Sequence, residues 1–568
     1  MLKNLLYILF LLPTLLLAQQ KNIPLNRTIQ NDVELFIKDE IELGDSTYKD
    51  VQTAFRPFIE SYALKYNYCE RSTKEVLSER IRPNGWTILM DENSFGVKVW
   101  RKVNTDNLFI IRDTADKFHL TIDPLFNFEA GMDVADTSGE KLYKNTRGFI
   151  VRGDIGEKFS FESSFYENQA TYAKYIDSYI VGTNNLFPQP ANYQYDVIPG
   201  QGRAKKFKTN GYDYAMASGY VSYSPIKMFN FQVGHGKHFV GDGYRSLLLS
   251  DNAFNYPYAR ITTTYKNIQY TNLYTSFMNL TAGGVTTPPH VERLFQKKIG
   301  SFQFLSLNLF HRLQLGLFQG MIWEAADSSN RQHTNFHTYD PIIGVSALAY
   351  GLHNENNVLL GATMKLKITK SISLYGQFMM DDITLYAKDK NNKYGYQIGL
   401  KYFDLFTVKN LHFQAEYNSV RPYAYAAQNP YQSYTHYNQA LAHPLGANFN
   451  EAVGFINYRL KNFFIQLKAN YAVKGVDSLT TNFGGNIFKS DNTFPIAQSL
   501  GNIVTTQGLK TTISTQDFQL GYLVNPSTNF NIVLGFTNRI EKTEKTSSAT
   551  QFVYFGIRTS LANFYYDF

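Results

Sequence analysis

The residues with the most chemistry per position lie in two glycine-punctuated runs. The first reads Gly234-His235-Gly236-Lys237-His238-Phe239-Val240-Gly241-Asp242-Gly243-Tyr244-Arg245 and runs on to Asp251 and Asn252; the second is Ala442-His443-Pro444-Leu445-Gly446-Ala447-Asn448-Phe449. His235 and His238 with Asp242 form a mixed donor set of a kind that ligates metals. Positions 235 and 238 of an extended strand point to opposite faces, however, so they converge only across a turn, and no metal is expected. Gly234, Gly236 and Lys237 look like part of a phosphate loop, but the four-residue spacing, the following Ser or Thr and the helix are missing. No Gly-x-Ser-x-Gly elbow, His-Glu-x-x-His pair or other spaced catalytic set occurs. No catalytic residue, cofactor or enzyme activity is expected.

What remains is binding or packing. The glycines permit a sharp inward bend, after which Lys237, Asp242, Arg245 and Asp251 pair with one another or with a wall. If the same groups face outward instead, they can grip a glycan. His235, Lys237, His238, Asp242, Tyr244, Arg245, His443 and Asn448 are therefore the candidate set, either for a glycan or as a plug. Tyr423, Tyr425, Tyr431, Tyr434 and Tyr437 stand beside the second run. Exposed Tyr with Asn and Gln nearby suits the apolar face and polar rim of a sugar; buried, the same rings form a packed lid.

The elements that carry these runs follow from periodicity. The chain has 568 residues, 41 Tyr, 44 Phe, 3 Trp, a single Cys and a net charge of +8. One Cys excludes an internal disulfide, and the basic residues are spread along the chain, so no nucleic acid is expected as partner. Lys3, the apolar run 5–17 and the small residue Ala18 read as a signal peptide over 1–18. Residues 26–82 show helical spacing. Ile29, Val33, Phe36, Ile37 and Ile41 mark one amphipathic helix; Val51, Phe55, Phe58, Ile59 and Tyr62 mark a second with a break at Pro57; Ser72 and Glu75 open a third. Residues 19–116 are thus expected to be a small soluble domain of short helices, with Cys69 an idle thiol.

Beyond it the period changes to two. In 158–172, Phe159, Phe161 and Phe165 alternate with Ser160, Glu162, Ser164 and Tyr166, so an aromatic face can meet lipid and the other water. Segments of this kind cover 118–134, 146–155, 158–172, 212–224, 228–239, 260–267, 268–282, 299–310, 312–323, 357–368, 372–385, 394–403, 411–420, 451–460, 463–473, 515–524, 529–540 and 551–561. About eighteen strands of this length predict an all-β membrane fold, an outer-membrane antiparallel barrel over 117–568. Tight turns at 156–158, 225–226, 266–267, 369–370, 461–462 and 525–527 alternate with long loops such as 173–211, 240–259, 327–355, 421–450 and 474–514. Short turns on the periplasmic side and long loops outside are the asymmetry of such barrels. The aromatic close Phe564-Tyr565-Tyr566-Asp567-Phe568 reads as an insertion signal after the last strand.

The two runs, with Leu120-Thr121-Ile122-Asp123-Pro124-Leu125-Phe126 and the Tyr-Tyr-Asp-Phe end, resemble the capsule-assembly (Wzi) family, and within it the RemB-like gliding-motility branch of the Bacteroidetes. The resemblance spans nearly the whole mature chain. It implies an outer-membrane barrel of about eighteen strands with a small periplasmic helical domain, and a role in holding surface polysaccharide on the cell. The branch implies a part in surface motility or its protein-secretion apparatus. The polysaccharide contacts known for the family have no positional match here, so none is carried over. The expected partners are outer-membrane lipid and either surface polysaccharide or motility and secretion proteins. The alternative is a diffusion porin, which the barrel's width allows. The charged loop 240–259 favours a closed lumen, and in a solvated network loss of Arg245 alone should cost about 1 kcal/mol.

Overall fold

A computed structural model describes residues 21–43, 51–60, 95–113, 117–183, 186–187, 196–282, 295–325, 339–345, 357–382, 392–478, 481–491, 503–559 and 563–568. The expected signal peptide, the third helix and Cys69 lie outside these residues. The strands are β1 (Phe118–Asp133), β2 (Lys141–Ile155), β3 (Phe159–Ala170), β4 (Gly211–Ile226), β5 (Phe229–Gly236), β6 (Tyr256–Tyr265), β7 (Ile268–Ala282), β8 (Phe295–Leu309) and β9 (Leu313–Glu324). They continue with β10 (Asn357–Lys367), β11 (Ile372–Asp382), β12 (Lys393–Tyr402), β13 (Leu411–Val420), β14 (Phe449–Leu460), β15 (Phe463–Val476), β16 (Leu509–Asn525), β17 (Phe530–Lys542) and β18 (Ser547–Arg558). Each pairs antiparallel with the next, and β18 closes on β1 with Phe552 opposite Asp133 and Arg558 opposite Asn127. The result is a closed barrel of eighteen strands. Every alternating segment read from the sequence corresponds to one of them.

The alternation works because each face has one solvent. On β3, Ser160, Ser164, Tyr166 and Asn168 are buried inside the barrel while Phe165 is exposed outside. Leu315 and Leu317 on β9, Leu534 and Phe536 on β17, and Val553 and Phe555 on β18 add to an apolar exterior, whereas Gln314, Gln319 and Asn531 face inward. Apolar outside and polar inside is the pattern of a lipid-facing barrel. A closed sheet has no edge for detergent to unzip. The protein should therefore migrate differently on a denaturing gel before and after boiling, and identical mobility would contradict closure.

Links of two to eight residues gather at one end, such as Lys461 and Asn462 between β14 and β15, and most of the longer links gather at the other. The lengths are less regular than the sequence suggested. The β17–β18 link on the long-loop side is only 543–546, and the turn expected at 225–226 falls two residues later, at 227–228.

Bulky inward rings are accommodated by glycines on the neighbouring strand. Gly535 sits opposite Tyr554, and Gly399 opposite Tyr375. A Cβ at either glycine would fall inside the partner ring. Gly535→Val should therefore destabilise the barrel by about 1–3 kcal/mol through overpacking, read as a lower temperature at which the folded gel band disappears.

The amino-terminal segment departs from the expectation of a domain standing by itself. Helix α1 (Arg27–Glu42) forms as its spacing predicts, capped by Asn26, whose side chain accepts from the Thr28 and Ile29 amides. Its apolar face packs with Ile23 and Phe58. The helix lies inside the short-turn end of the barrel, where Lys38 pairs with Asp404 and Asp32 with Arg459 at 3.5 Å. The second expected helix is not formed: 51–60 is extended. Pro57 lacks an amide donor and disfavours helix in the residue before it. The chain there instead pairs Phe55 and Arg56 with Val240 and Phe239, and Ile59 and Glu60 with Asn22 and Lys21. A further helix, α2 (Phe95–Asn104), precedes a five-residue strand, Phe109–Asp113, that pairs with the start of β1.

The carboxyl-terminal tail is the other departure. β18 ends at Arg558, and residues 563–568 turn back into the lumen, where Tyr565 and Asp567 are buried. An aromatic run reads alike whether its rings meet lipid or an interior. Only the fold distinguishes them.

Candidate functional site in the barrel lumen

Three polar junctions hold the lumen contents together, and most of the sequence-derived candidates belong to them. The β5–β6 loop, 237–255, does not reach outward. It bends into the lumen, where Gln377 of β11 clasps it, donating to the Val240 carbonyl at 2.8 Å and accepting from the Leu247 amide at 2.8 Å. Leu247, Leu248 and Leu249 have no exposed surface. The β13–β14 loop, 421–448, folds over it. Tyr425 and Tyr434 donate to the Leu247 and Leu248 carbonyls at 2.8 and 2.6 Å, and Lys298 of β8 donates to the Ser433 carbonyl at 2.9 Å. The tyrosines of this loop are thus a packed lid. Tyr423, Tyr425 and Tyr434 are each 1% exposed and offer no face to a sugar.

The first junction joins the loop to α1. Lys365 of β10 donates to Asp242 Oδ1 and to Glu34 Oε2, both at 2.9 Å, and Lys401 of β12 donates to Glu34 Oε1 at 2.6 Å. Thr53 completes Asp242 at 2.6 Å. Burial, the largest single influence, would raise both carboxyls, but Lys365, Lys401 and Arg56 together outweigh it and hold them below the usual carboxylate range. Within the junction the two acids balance the two lysines, as a buried cluster requires, and the buried Arg56 stands beside them.

The second junction centres on Arg245. Its guanidinium meets Glu451 Oε1 at 2.8 Å and Asp567 Oδ1 at 3.0 Å, with all three side chains at most 1% exposed. His443 Nε2 lies 2.7 Å from Glu451, and Tyr244 donates to Asp567 at 3.0 Å. Loop, lid, wall and tail meet at one cation. Burial disfavours the charged Asp567 carboxylate, yet Arg245 and Lys468 hold it far below its ordinary range.

In the third junction Lys237 donates to the Gly200 carbonyl at 2.7 Å, and Asp251 accepts from Tyr565 at 2.6 Å and from Asn563 at 3.1 Å. Burial lowers Lys237 to about 8. Of the remaining candidates, Asn448, at φ +62°, accepts from the Thr506 amide and donates to the Gly475 and Gln507 carbonyls. His238 is wholly buried beside Tyr256 and Tyr258. His235 stands apart at the end of β5, its Nδ1 3.0 Å from the Ala217 carbonyl. The two histidines do not converge. Among the described residues no group of three His, Cys, Asp or Glu side chains is placed to hold a metal.

Asp242 pairs with the wall, Arg245 with wall and tail and Asp251 with the tail, while Lys237 donates to the Gly200 carbonyl of the β3–β4 loop and, within its own loop, to the Asp251 carbonyl at 3.1 Å. Sequence reasoning missed Glu34, Lys365, Glu451, Lys468 and Asp567. For Lys365, Glu451 and Lys468 the available signal was a charge at an inward position of an alternating strand, which demands a partner but does not say which; Glu34 on α1 and Asp567 in the tail carried no such signal.

The model of the capsule assembly protein Wzi family matches residues 92–541, more than three quarters of the chain. The chain belongs to the Wzi family. Among solved structures, Wzi of Escherichia coli matches with a TM-score of 0.50 at 12% identity, over 95% of this chain and all of that one. That protein is described as an outer-membrane protein involved in group 1 capsule assembly and as a carbohydrate-binding β-barrel. OccAB2 of Acinetobacter baumannii matches with a TM-score of 0.40 at 11% identity, over 78% of this chain and 98% of that one. OprD of Pseudomonas aeruginosa gives 0.40 at 9%, over 81% and 99%. Among curated proteins no match is found. The Escherichia coli match agrees with the barrel described above, and this Wzi-family chain is an outer-membrane protein.

Proposed function

We propose that the protein anchors exported polysaccharide at the cell surface and acts as a holder without catalytic chemistry, not as a conduit. Family membership supports capsule assembly, and the description of the Escherichia coli relative supports a saccharide ligand. The observation that carries the reading against a porin is the Arg245 junction, which ties loop, lid, wall and tail across the lumen. A channel for small solutes would gain nothing from four segments locked together there. The purified full-length protein should bind the surface polysaccharide extracted from the cells that make it, and equal binding by a porin of similar size would remove the claim.

In this reading the short turns and α1 face the periplasm and the long loops face outward. A tag inserted after Lys461 should be hidden from antibody on intact cells, while one between 327 and 355 should be reached. Labelling of the Lys461 tag would invert the orientation.

The motility and secretion role belongs to this proposal as its second class of partner. The two glycine-punctuated runs that carry most of the branch resemblance pack in the lumen, so a motility partner would dock at the long-loop end rather than on those runs. A deletion strain that loses surface spreading while retaining its polysaccharide would favour that partner.

A further inference from the structure

The plug fills one side of the lumen, and the other side is open. A cavity of about 550 Å³ lies between α1 and the wall formed by β13–β18, β1 and β2. This is within the range of small-ligand pockets, about 300–1,000 Å³. The exposed turn residues Lys409 and Lys461 are part of its lining, so it opens at the short-turn end. At the opposite end Tyr175 donates to the Tyr566 carbonyl at 2.9 Å, and helix α3 (Lys174–Gly182) with the tail forms a roof. α1 packs its apolar face on Ile23 and Phe58 and lines the cavity with Asn31, Asp32 and Leu35 among others.

The charges in the lining are not balanced. Asp32 and Asp517 are already paired with Arg459 and Lys468. Arg27, Lys144 and Arg558 have no described carboxylate within ion-pair distance. Arg558 is held by the neutral amides of Asn531 at 3.3 Å and Gln519 at 3.0 Å. Arg27 lies 3.7 Å over the Phe455 ring and donates to Asn457 at 3.3 Å. Lys144 lies over the rings of Tyr172 and Tyr566. Glu129 is the lining carboxylate beside them, and at the mouth Asp39 faces Lys409 and Lys461, so five cations face two acids. A held but uncompensated guanidinium beside amides suits a carboxylate. The buried Asn127 Oδ1 and Thr515 Oγ1 also line the cavity with no hydrogen-bond partner among the described residues. Aromatic faces beside amides and hydroxyls suit a pyranose ring.

We infer that this cavity is a binding site for a short acidic oligosaccharide of the uronate class, entered from the short-turn end. The inference rests on the polysaccharide-holding reading for its choice of a sugar, and on Arg27, Lys144 and Arg558 for the acid. Arg558 and Lys144 meet the carboxylates, the amides meet the hydroxyls, and Tyr566 of the tail supplies a ring face.

The test is calorimetric titration of the full-length protein in detergent with a tri-uronate, with maltotriose and with inorganic phosphate. The tri-uronate should bind at least tenfold more tightly than maltotriose, weaken with added salt, and not be displaced by an equal concentration of phosphate. Arg558→Gln and Lys144→Gln should each weaken it about tenfold, while Arg558→Lys, which keeps the charge, should retain most of the affinity. Unchanged heat-dependent gel mobility confirms folding for each variant; if a glutamine variant does not fold, the salt dependence and the maltotriose comparison decide. Equal binding of both sugars, displacement by phosphate, or no tri-uronate binding overturns the assignment. If the cells' own polysaccharide still binds while the tri-uronate does not, only the cavity assignment is lost. If neither binds, the functional reading falls with it.

Discussion

Arg245→Ala should destabilise the folded protein by about 3–5 kcal/mol, because it removes the cation shared by two buried carboxylates and leaves Glu451 with His443 and Asp567 with Lys468 alone. This is several times the roughly 1 kcal/mol expected for an exposed network. The difference comes from burial: Arg245, Glu451 and Asp567 are at most 1% exposed. Asp567→Asn keeps the shape and removes one charge, and should fall between Arg245→Ala and the unmodified protein. The comparison is the temperature at which the unboiled gel band converts to the unfolded one. Lys174→Ala, which removes an exposed pair with Asp136, should leave that temperature unchanged. Equal shifts for Lys174→Ala and Arg245→Ala would show that the junction is solvated.

The second large effect is on conductance. A barrel of sixteen to eighteen strands is wide enough for a water-filled channel, so closure depends on what fills it. Removal of 563–568 takes away Tyr566 and Phe568 from the roof and leaves Arg245 and Lys468 without Asp567. The cavity would then continue to the long-loop end. In planar bilayers the intact protein should conduct poorly and the truncated one should show stepwise openings. Deletion of 242–255 should open it further by removing the centre of the plug. Closure should also persist on mild acidification. Glu34 and Asp242 have folded values depressed by Lys365, so their contribution is complete above the ordinary carboxylate value of about 4 and is lost only as pH falls below it. A large conductance in the intact protein would return the porin reading.

The barrel and the inward bend of the charged loop were legible in the sequence, and the partners that lock the plug were not, for reasons of distance along the chain. A strand facing lipid on one side and water on the other leaves a period of two in its own residues, as Phe165 between Ser164 and Tyr166 does, and needs no partner to be recognised. α1 was equally local, since Ile29, Val33 and Ile37 lie on one face of a single helix. Residues 51–60 carry a similar spacing but Pro57 and pairing with Phe239 and Val240 override it. The junctions are the opposite case. Arg245 meets a residue 206 positions away, and Lys365 meets one 331 positions away. The sequence marked Asp242 and Arg245 as needing partners without identifying Lys365, Glu451 or Asp567. The tail failed for a different reason: burial in a lumen and burial in lipid select the same aromatic residues.

If this Wzi-family barrel holds polysaccharide on the cell, the polymer should relocate when the protein is absent. In a strain lacking the chain, total polysaccharide should stay constant while the cell-attached fraction falls and the fraction released to the medium rises, with reversal on complementation. An unchanged ratio of attached to released polymer would contradict the claim.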